Sequence, residues 1–186
     1  LSRMKLDDAS TAENPDVNPH PNGAPFDLTN LFRGGDMLNN VTGVLDFNHG
    51  EYKLQLTQGA DYTATNPRTA APEDVGGNVK VASFNVLNYF TTLGSRGADT
   101  TEEFERQRAK IIDAIATINA DVVGLIEIEN NSEAIQDLVN GLNDAMGAGT
   151  YAYVDTGTIG SDAIKVAFIY KPATVGLVGA YKILDA

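Results

Sequence analysis

Cysteine is absent from all 186 residues. Thiol nucleophiles, thiolate metal sites and disulfides are therefore excluded, and the redox compartment is left open. Positive charge is scarce as well, with 13 Lys and Arg against 25 Asp and Glu and a formal net charge of −12. Such a chain offers no broad positive field to nucleic acid or an anionic membrane, so a phosphate ligand needs a local bridge, most simply a divalent cation. No apolar run approaches the roughly 20 residues that span a bilayer, so no membrane segment is expected. The first residues, Leu1 to Asp8, also lack the apolar stretch of a signal peptide. Starting without Met, the chain reads as a piece of something longer or as a mature product. What is present is the composition of a folded protein, 42% hydrophobic and 20% charged, long enough to bury a core unaided.

The front of the chain is sparse in periodic signal. Glu13 to Gly23 is dense in Pro, Asn and Gly and is expected to be a surface loop. From Asp36 onward Val41, Leu45 and Phe47 alternate with polar or small residues, Asn48-His49-Gly50 interrupts, and Tyr52, Leu54 and Leu56 resume the alternation. Period two on both sides of a short Gly-containing break predicts a β-hairpin, with Gly34-Gly35 as a further turn before it. Residues 1 to 57 are thus expected to be a small β-rich module. Residues 58 to 78 carry Pro67, Pro72, Gly76 and Gly77 with neither period and are expected to be a linker.

Beyond the linker the pattern is α/β. Val79 to Val86 reads as a strand. Thr100 and Glu103 form a capping box, followed by Phe104, Ile111, Ile112, Ile115 and Ile118 at helical spacing, with Glu102 and Arg106 placed to pair at i,i+4. Asp121 to Glu127 is an apolar run ending in a carboxylate, expected to be a strand buried on both faces. A second helix follows, capped by Asn131 or Ser132, with Ile135, Leu138, Val139, Leu142 and Met146 as its stripe. Thr150 to Val154, Ile164 to Tyr170 and Val175 to Leu184 are strand candidates. The order β-α-β-α-β-β-β predicts an α/β, or α+β, sandwich of sheet and helices.

In such an architecture, functional side chains gather beyond the carboxyl ends of strands. Asn85 sits near the end of the first strand and Glu127 at the end of the second. A carboxylate and an amide oxygen at one sheet edge are hard ligands, suited to Mg²⁺, Mn²⁺ or Ca²⁺ rather than zinc. Glu129 is the alternative should the register slip. The two histidines, His20 in the Pro-rich loop and His49 in the hairpin turn, read as surface turn residues rather than bases.

Three segments together, Val81-Ala82-Ser83-Phe84-Asn85-Val86-Leu87-Asn88-Tyr89-Phe90, Asp121-Val122-Val123-Gly124-Leu125-Ile126-Glu127-Ile128-Glu129-Asn130 and Asp162 to Pro172, resemble the deoxyribonuclease I-like endonuclease/exonuclease/phosphatase family, above all secreted bacterial nucleases of the ExeM type. Arg33 to Asp36, Gly43 to Phe47 and Tyr52 to Thr57 are similar to the OB-fold-like module that precedes the nuclease domain in those proteins. The resemblance implies that residues 79 to 186 are the front half of a four-layer nuclease sandwich. It implies an extracellular, Mg²⁺-dependent (or Mn²⁺- or Ca²⁺-dependent) phosphodiesterase acting on DNA, with RNA as a second substrate.

On the same resemblance Asn85 and Glu127 are catalytic and hold the metal, while Asp162 and Lys165 lie near bound substrate. On their residue types alone, Asp162 reads as a loop carboxylate and Lys165 as an exposed strand Lys. Where the family has Gln before the metal-binding Glu, this chain has Ile126. The family's His with its carboxylate partner, its Asp-x-Asn pair and its second Asp-His pair are not found here. The missing C-terminal half of the domain is therefore an expected partner, and the chain on its own is expected to be inactive. Two other readings carry different expectations: a lipid or sugar phosphodiesterase of the same fold, and a non-catalytic module that binds nucleic acid through Phe32, Phe47 and Tyr52.

Overall fold

The computed structural model describes residues 3–12 and 18–184. The chain divides into two compact units, Leu1–Thr69 and Ala70–Ala186. Among the described residues the architecture is mixed, with two helices and three small sheets.

In the first unit β1 (Lys5–Asp7) pairs in parallel with β4 (Glu51–Leu56), which pairs in turn with β3 (Gly43–Asn48) in antiparallel register. The β3–β4 hairpin turns on His49 and Gly50, whose φ angles are 51° and 79°. Two successive positive φ values give the turn the twist of the strands it joins, so His49 is an exposed turn residue as its place in the sequence suggests. A second pair, β2 (Met37–Asn39) with β5 (Asp61–Thr63), lies partly inside the segment expected to be linker. Three-residue strands are too short to show a period, and β5 is defined only by a partner far back in the chain.

Asp36 ties this unit together. One carboxylate oxygen accepts from the Tyr62 hydroxyl at 2.6 Å and the Arg33 amide at 2.7 Å, and the other from the amides of Thr65 and Asn66. The Tyr62 hydroxyl first, then the amide donors, hold its pKa down from 3.8 to about 2.

His20 is not the surface residue its Pro-rich surroundings suggest, being only 1% exposed. Its Nδ1 accepts from the Asn22 amide, and its ring stands edge-on to Tyr62 and Phe32 at centroid distances of 4.6 and 5.4 Å. The turn formers fold back on themselves, through His20 N–H to Ala24 and Ala60 N–H to Pro21, and so press the imidazole inward. Residues 13–17 of that predicted loop lie outside the described residues.

The second unit is one four-stranded sheet in the order β6-β7-β9-β8, built from β6 (Val81–Tyr89), β7 (Val122–Glu129), β8 (Ala152–Tyr153) and β9 (Ile164–Tyr170). β6 and β7 run parallel, and β9 is antiparallel to β7. Helices α1 (Thr101–Ile118) and α2 (Glu133–Met146) supply the other side of its core. The Thr100–Glu103 capping box closes α1. At α2, Ser132 holds the cap position, while Asn131 accepts the Ala134 amide at 2.9 Å. Ile115, Ile135, Leu138 and Leu142 meet Val123, Leu125, Ala167 and Ile169 in that core. Gly141 permits the helices to approach, because a Cβ there would lie 2.4 Å from Ile112.

Three expectations need correction. Glu102 and Arg106 form no ion pair among the described residues; both are exposed, where such a pair gains little. Val175 to Leu184 forms no strand, since its alternation finds no partner among the described residues. The run in β7 is not buried on both faces. Helices cover one face of the sheet, while on the other Val81 and Leu87 are each 72% exposed, Val166 61% and Phe168 52%.

Asp36 sets an acid limit on the first unit. A carboxyl group with a lowered folded pKa stabilises fully above its unfolded value, and that contribution fades as pH falls toward the folded one. Near-ultraviolet circular dichroism of the tyrosines should therefore change between about pH 4 and pH 2. In Asp36→Asn this step should vanish, and the unit should be less stable at neutral pH.

Candidate active site at the end of the parallel strands

The pairing of β6 with β7 is regular from Val81↔Val122 to Asn85↔Ile126, then slips: the next partners are Tyr89↔Ile128. Between these points β6 advances four residues and β7 two. Against β9, β7 itself advances three residues, Leu125 to Ile128, while β9 moves two. Both parallel strands thus carry surplus residues at the same level, and a bulge of this kind re-aims the side chains it contains.

The surplus is taken up by left-handed backbone. Leu87, Asn88 and Glu127 have φ of 53°, 51° and 65°. For Leu and Glu that conformation costs roughly 1–2 kcal/mol each, and such strain persists only where neighbours enforce it. The neighbours are identifiable. Gln107, reaching up from α1, donates to the carbonyls of Val86 and Leu87 at 3.2 and 2.6 Å, and Gly97 lies so close that a Cβ there would meet the Asn88 carbonyl at 2.8 Å.

Asn85 pairs with Ile126, so Glu127 lies one position further along β7, inside the bulge. Asn85 is exposed on the uncovered side of the sheet. Its Oδ1 accepts the Leu87 amide at 2.7 Å, which fixes the amide and leaves its NH₂ as an outward donor. Glu127 is half-buried, and its carboxylate makes no hydrogen bond or ion pair among the described residues.

Glu129, the alternative to Glu127, has a different occupation. It is buried, and one oxygen accepts from the Thr91 amide at 2.8 Å, the Thr91 hydroxyl at 3.0 Å and the Thr92 amide at 3.2 Å. Burial alone would raise its pKa, but the donors from Thr92 and Thr91 outweigh that and lower it. It clamps the loop that leaves β6.

Asp162 is exposed and pairs with Arg96 at 2.9 Å. Lys165 is not an exposed strand Lys: it faces the helices, is buried, and donates to the Gly157 carbonyl at 2.6 Å. The strand's alternation accounts for this, because Lys165 shares a face with buried Ala167 and Ile169. Burial lowers its pKa, with Asp155 and Glu133 opposing. It is therefore not on the side of the sheet where Asn85 stands.

Two residues went unassigned in the sequence. Asn130 is buried and stitches the end of β7 to the loop before β9, donating to the Ile159 and Asp162 carbonyls and accepting from the Ile159 amide. The only sequence signal for it is an Asn directly after an apolar strand. Tyr89 donates to Asp137 at 2.5 Å and Arg108 binds the same carboxylate oxygen at 2.8 Å. Burial, then this hydrogen bond, pushes the Tyr89 hydroxyl far above its ordinary pKa, so it serves as a fixed donor.

As a metal centre the site is lean. Among the described residues no three His, Cys, Asp or Glu side chains converge to hold an ion. One carboxylate with an amide oxygen nevertheless fits Mg²⁺, which is commonly held through one or two carboxylates while keeping waters and substrate phosphate. Comparison with models of known families, with curated proteins and with solved structures gives no match.

The two carboxylates should part company in stability measurements. Glu129→Ala strips the acceptor from three donors and should cost about 2 kcal/mol in urea unfolding. Glu127→Gly removes left-handed strain and breaks no hydrogen bond, so it should stabilise the unit by about 1 kcal/mol. A loss of stability in the second variant would show that Glu127 is there to hold the fold.

Proposed function

We propose that the protein is a divalent-cation-dependent phosphodiesterase, an extracellular nuclease that cleaves DNA and, as a second substrate, RNA. The observation that carries this reading is the left-handed Glu127, without a partner among the described residues and one position along β7 from the residue paired with Asn85, where two parallel strands bulge together. Strain spent on a carboxylate with no structural partner is the mark of a group kept for its chemistry.

Glu127 and the second lone pair of the Asn85 Oδ1, whose first takes the Leu87 amide, would hold the cation, Mg²⁺ before Mn²⁺ or Ca²⁺. When bound, it neutralises charge on the phosphodiester and polarises the P–O bond. The Asn85 NH₂, its oxygen already engaged by Leu87, donates to a phosphate oxygen and sets the angle at which the linkage lies. The apolar sheet face lends the site a low-dielectric wall, which strengthens each of these contacts. A net charge of −12 makes a local cation the simplest route for a polyanion to approach.

The apolar residues on the uncovered face, together with the free edge of β6, support a second half of the nuclease sandwich as partner. That half brings the base and the remaining phosphate contacts. In the first unit, the paired sheets and the exposed Phe47–Tyr52 pair, 4.9 Å apart, support an OB-like module.

The full-length protein should nick plasmid DNA with Mg²⁺ and stop in excess chelator. Glu127→Ala should lower kcat on DNA by about 10²–10³-fold, as loss of one electrostatic partner of the transition state does. Faster turnover of sphingomyelin or inositol phosphates than of plasmid would place the protein among lipid or sugar phosphodiesterases. Chelator-resistant binding of DNA without any cleavage would leave only the binding module.

A further inference from the structure

We infer that Arg96 is a phosphate-contacting residue of this site, kept in place by Asp162 until nucleic acid arrives. The inference rests on the phosphodiesterase reading and adds a residue to it that neither the motifs nor the strand ends mark.

The first argument is one of supply. Three loops gather at the carboxyl ends of β6 and β7: residues 90–100, 130–132 and 154–163. Arg96 is the only Lys or Arg in them. Lys165, which follows, is turned inward onto Gly157. A polyanion reaching this end of the sheet therefore meets one cationic side chain from those loops.

The second concerns placement. Arg96 rides on the turn closed by the Gly94 amide and the Ala98 carbonyl at 3.0 Å. Its neighbour Gly97 packs directly on the Asn88 carbonyl and on Phe90, so the turn rests against the bulge that carries the left-handed residues. Beside it lies a crevice of about 270 Å³ bordered by Ser95, Asn131, Ser161 and Asp162. Ser95, Ser161 and Asn131 offer hydroxyl and amide groups; Asp162 and Glu129 add carboxylates, Glu129 with three donors already on one oxygen.

The third is energetic. The Arg96 Nη1 contact with Asp162 Oδ1 is 2.9 Å, with the side chains 48% and 65% exposed. An ion pair that open to water is worth about 0–1 kcal/mol, so its contribution to folding is small. It uses one of five guanidinium N–H donors. A phosphodiester presents two oxygens to the fork and can take the bidentate geometry that this single contact leaves unused. Asp162 thus acts as a weak internal stand-in for the ligand: it aims the guanidinium and gives way.

Binding of a fluorescein-labelled DNA duplex in Mg²⁺, followed by anisotropy across a salt series, tests this. The duplex carries cleavage-resistant phosphorothioate linkages, so Glu127 and its cation stay in place while the probe is not cut. Arg96→Ala should weaken binding several-fold and reduce the slope of log K against log salt by about 0.9, the loss of one phosphate contact. Arg96→Lys should restore the slope but not all of the affinity. Asp162→Asn should shift affinity the other way, binding more tightly with the slope unchanged.

An unaltered slope in Arg96→Ala, or weaker binding in Asp162→Asn, would overturn the inference, the latter by marking the pair as a simple tie between loops. Mg²⁺-dependent cleavage of ordinary plasmid DNA decides the nuclease reading separately. If cleavage is seen and the slope is unmoved, Arg96 alone is wrongly assigned. If there is neither cleavage nor binding, both fall.

Discussion

Two strands that run side by side can each carry extra residues only if the extras fall at the same level, or the hydrogen-bond ladder between them is lost. In this protein β6 and β7 meet that condition just past Asn85 and Leu125, and pairing resumes at Tyr89 and Ile128. The consequences spread outward from there. Val86 and Tyr89 both face the core although three positions separate them, as do Leu125 and Ile128. The residues in between are displaced from the regular alternation. Gln107 and Gly97, from different elements, have no other common purpose than to accommodate the bulged backbone.

That local distortion is carried by a half-clad sheet. With α1 and α2 on one side only, the buried residues of β9 and β7 alternate with exposed apolar ones, and Phe168 extends over Gly124, where a Cβ would stand 3.5 Å from its ring. Such a face is costly to leave in water, at about 25 cal/mol per Å² of apolar surface. It is also where Asn85 stands. On the proposed function, the partner that would cover this face and the further groups the reaction needs near Asn85 come to the same side of the same sheet.

Legibility in the sequence followed how local the cause was. The helices were readable almost to the residue, because capping and apolar spacing act within one turn: Thr100 with Glu103 opens α1, and the stripe through Leu138 and Leu142 is buried as expected. β9 was readable from its own alternation. The site was legible only in part. Asn85 and Glu127 were expected at strand ends, but β6 runs on to Tyr89 and β7 to Glu129, because pairing resumes beyond a bulge, and no pattern within one strand announces a bulge in its neighbour. Lys165 was misjudged for a related reason, since polar type suggested water where register dictated the core. His20 and β5 failed on distance: each is defined by partners some 20 to 40 residues away, among them Tyr62 for His20 and Leu38 for β5. The final expected strand had the right alternation and lacked only something to pair with.

The charge balance now takes on a more specific meaning. An excess of acid spread over the chain screens out within about 8 Å at physiological salt, so what a ligand experiences at the sheet edge is set by the groups in reach. There Glu129 is occupied by Thr91 and Thr92, Asp162 by Arg96, and Asp155 by Ser132 and the Gly157 amide. Of the carboxylates at that end of β7 and on the loop before β9, Glu127 is the one without a partner among the described residues. In the proposed function that single open negative charge among satisfied ones would take the cation, and the cation would convert an acidic surface into one that a phosphate can approach.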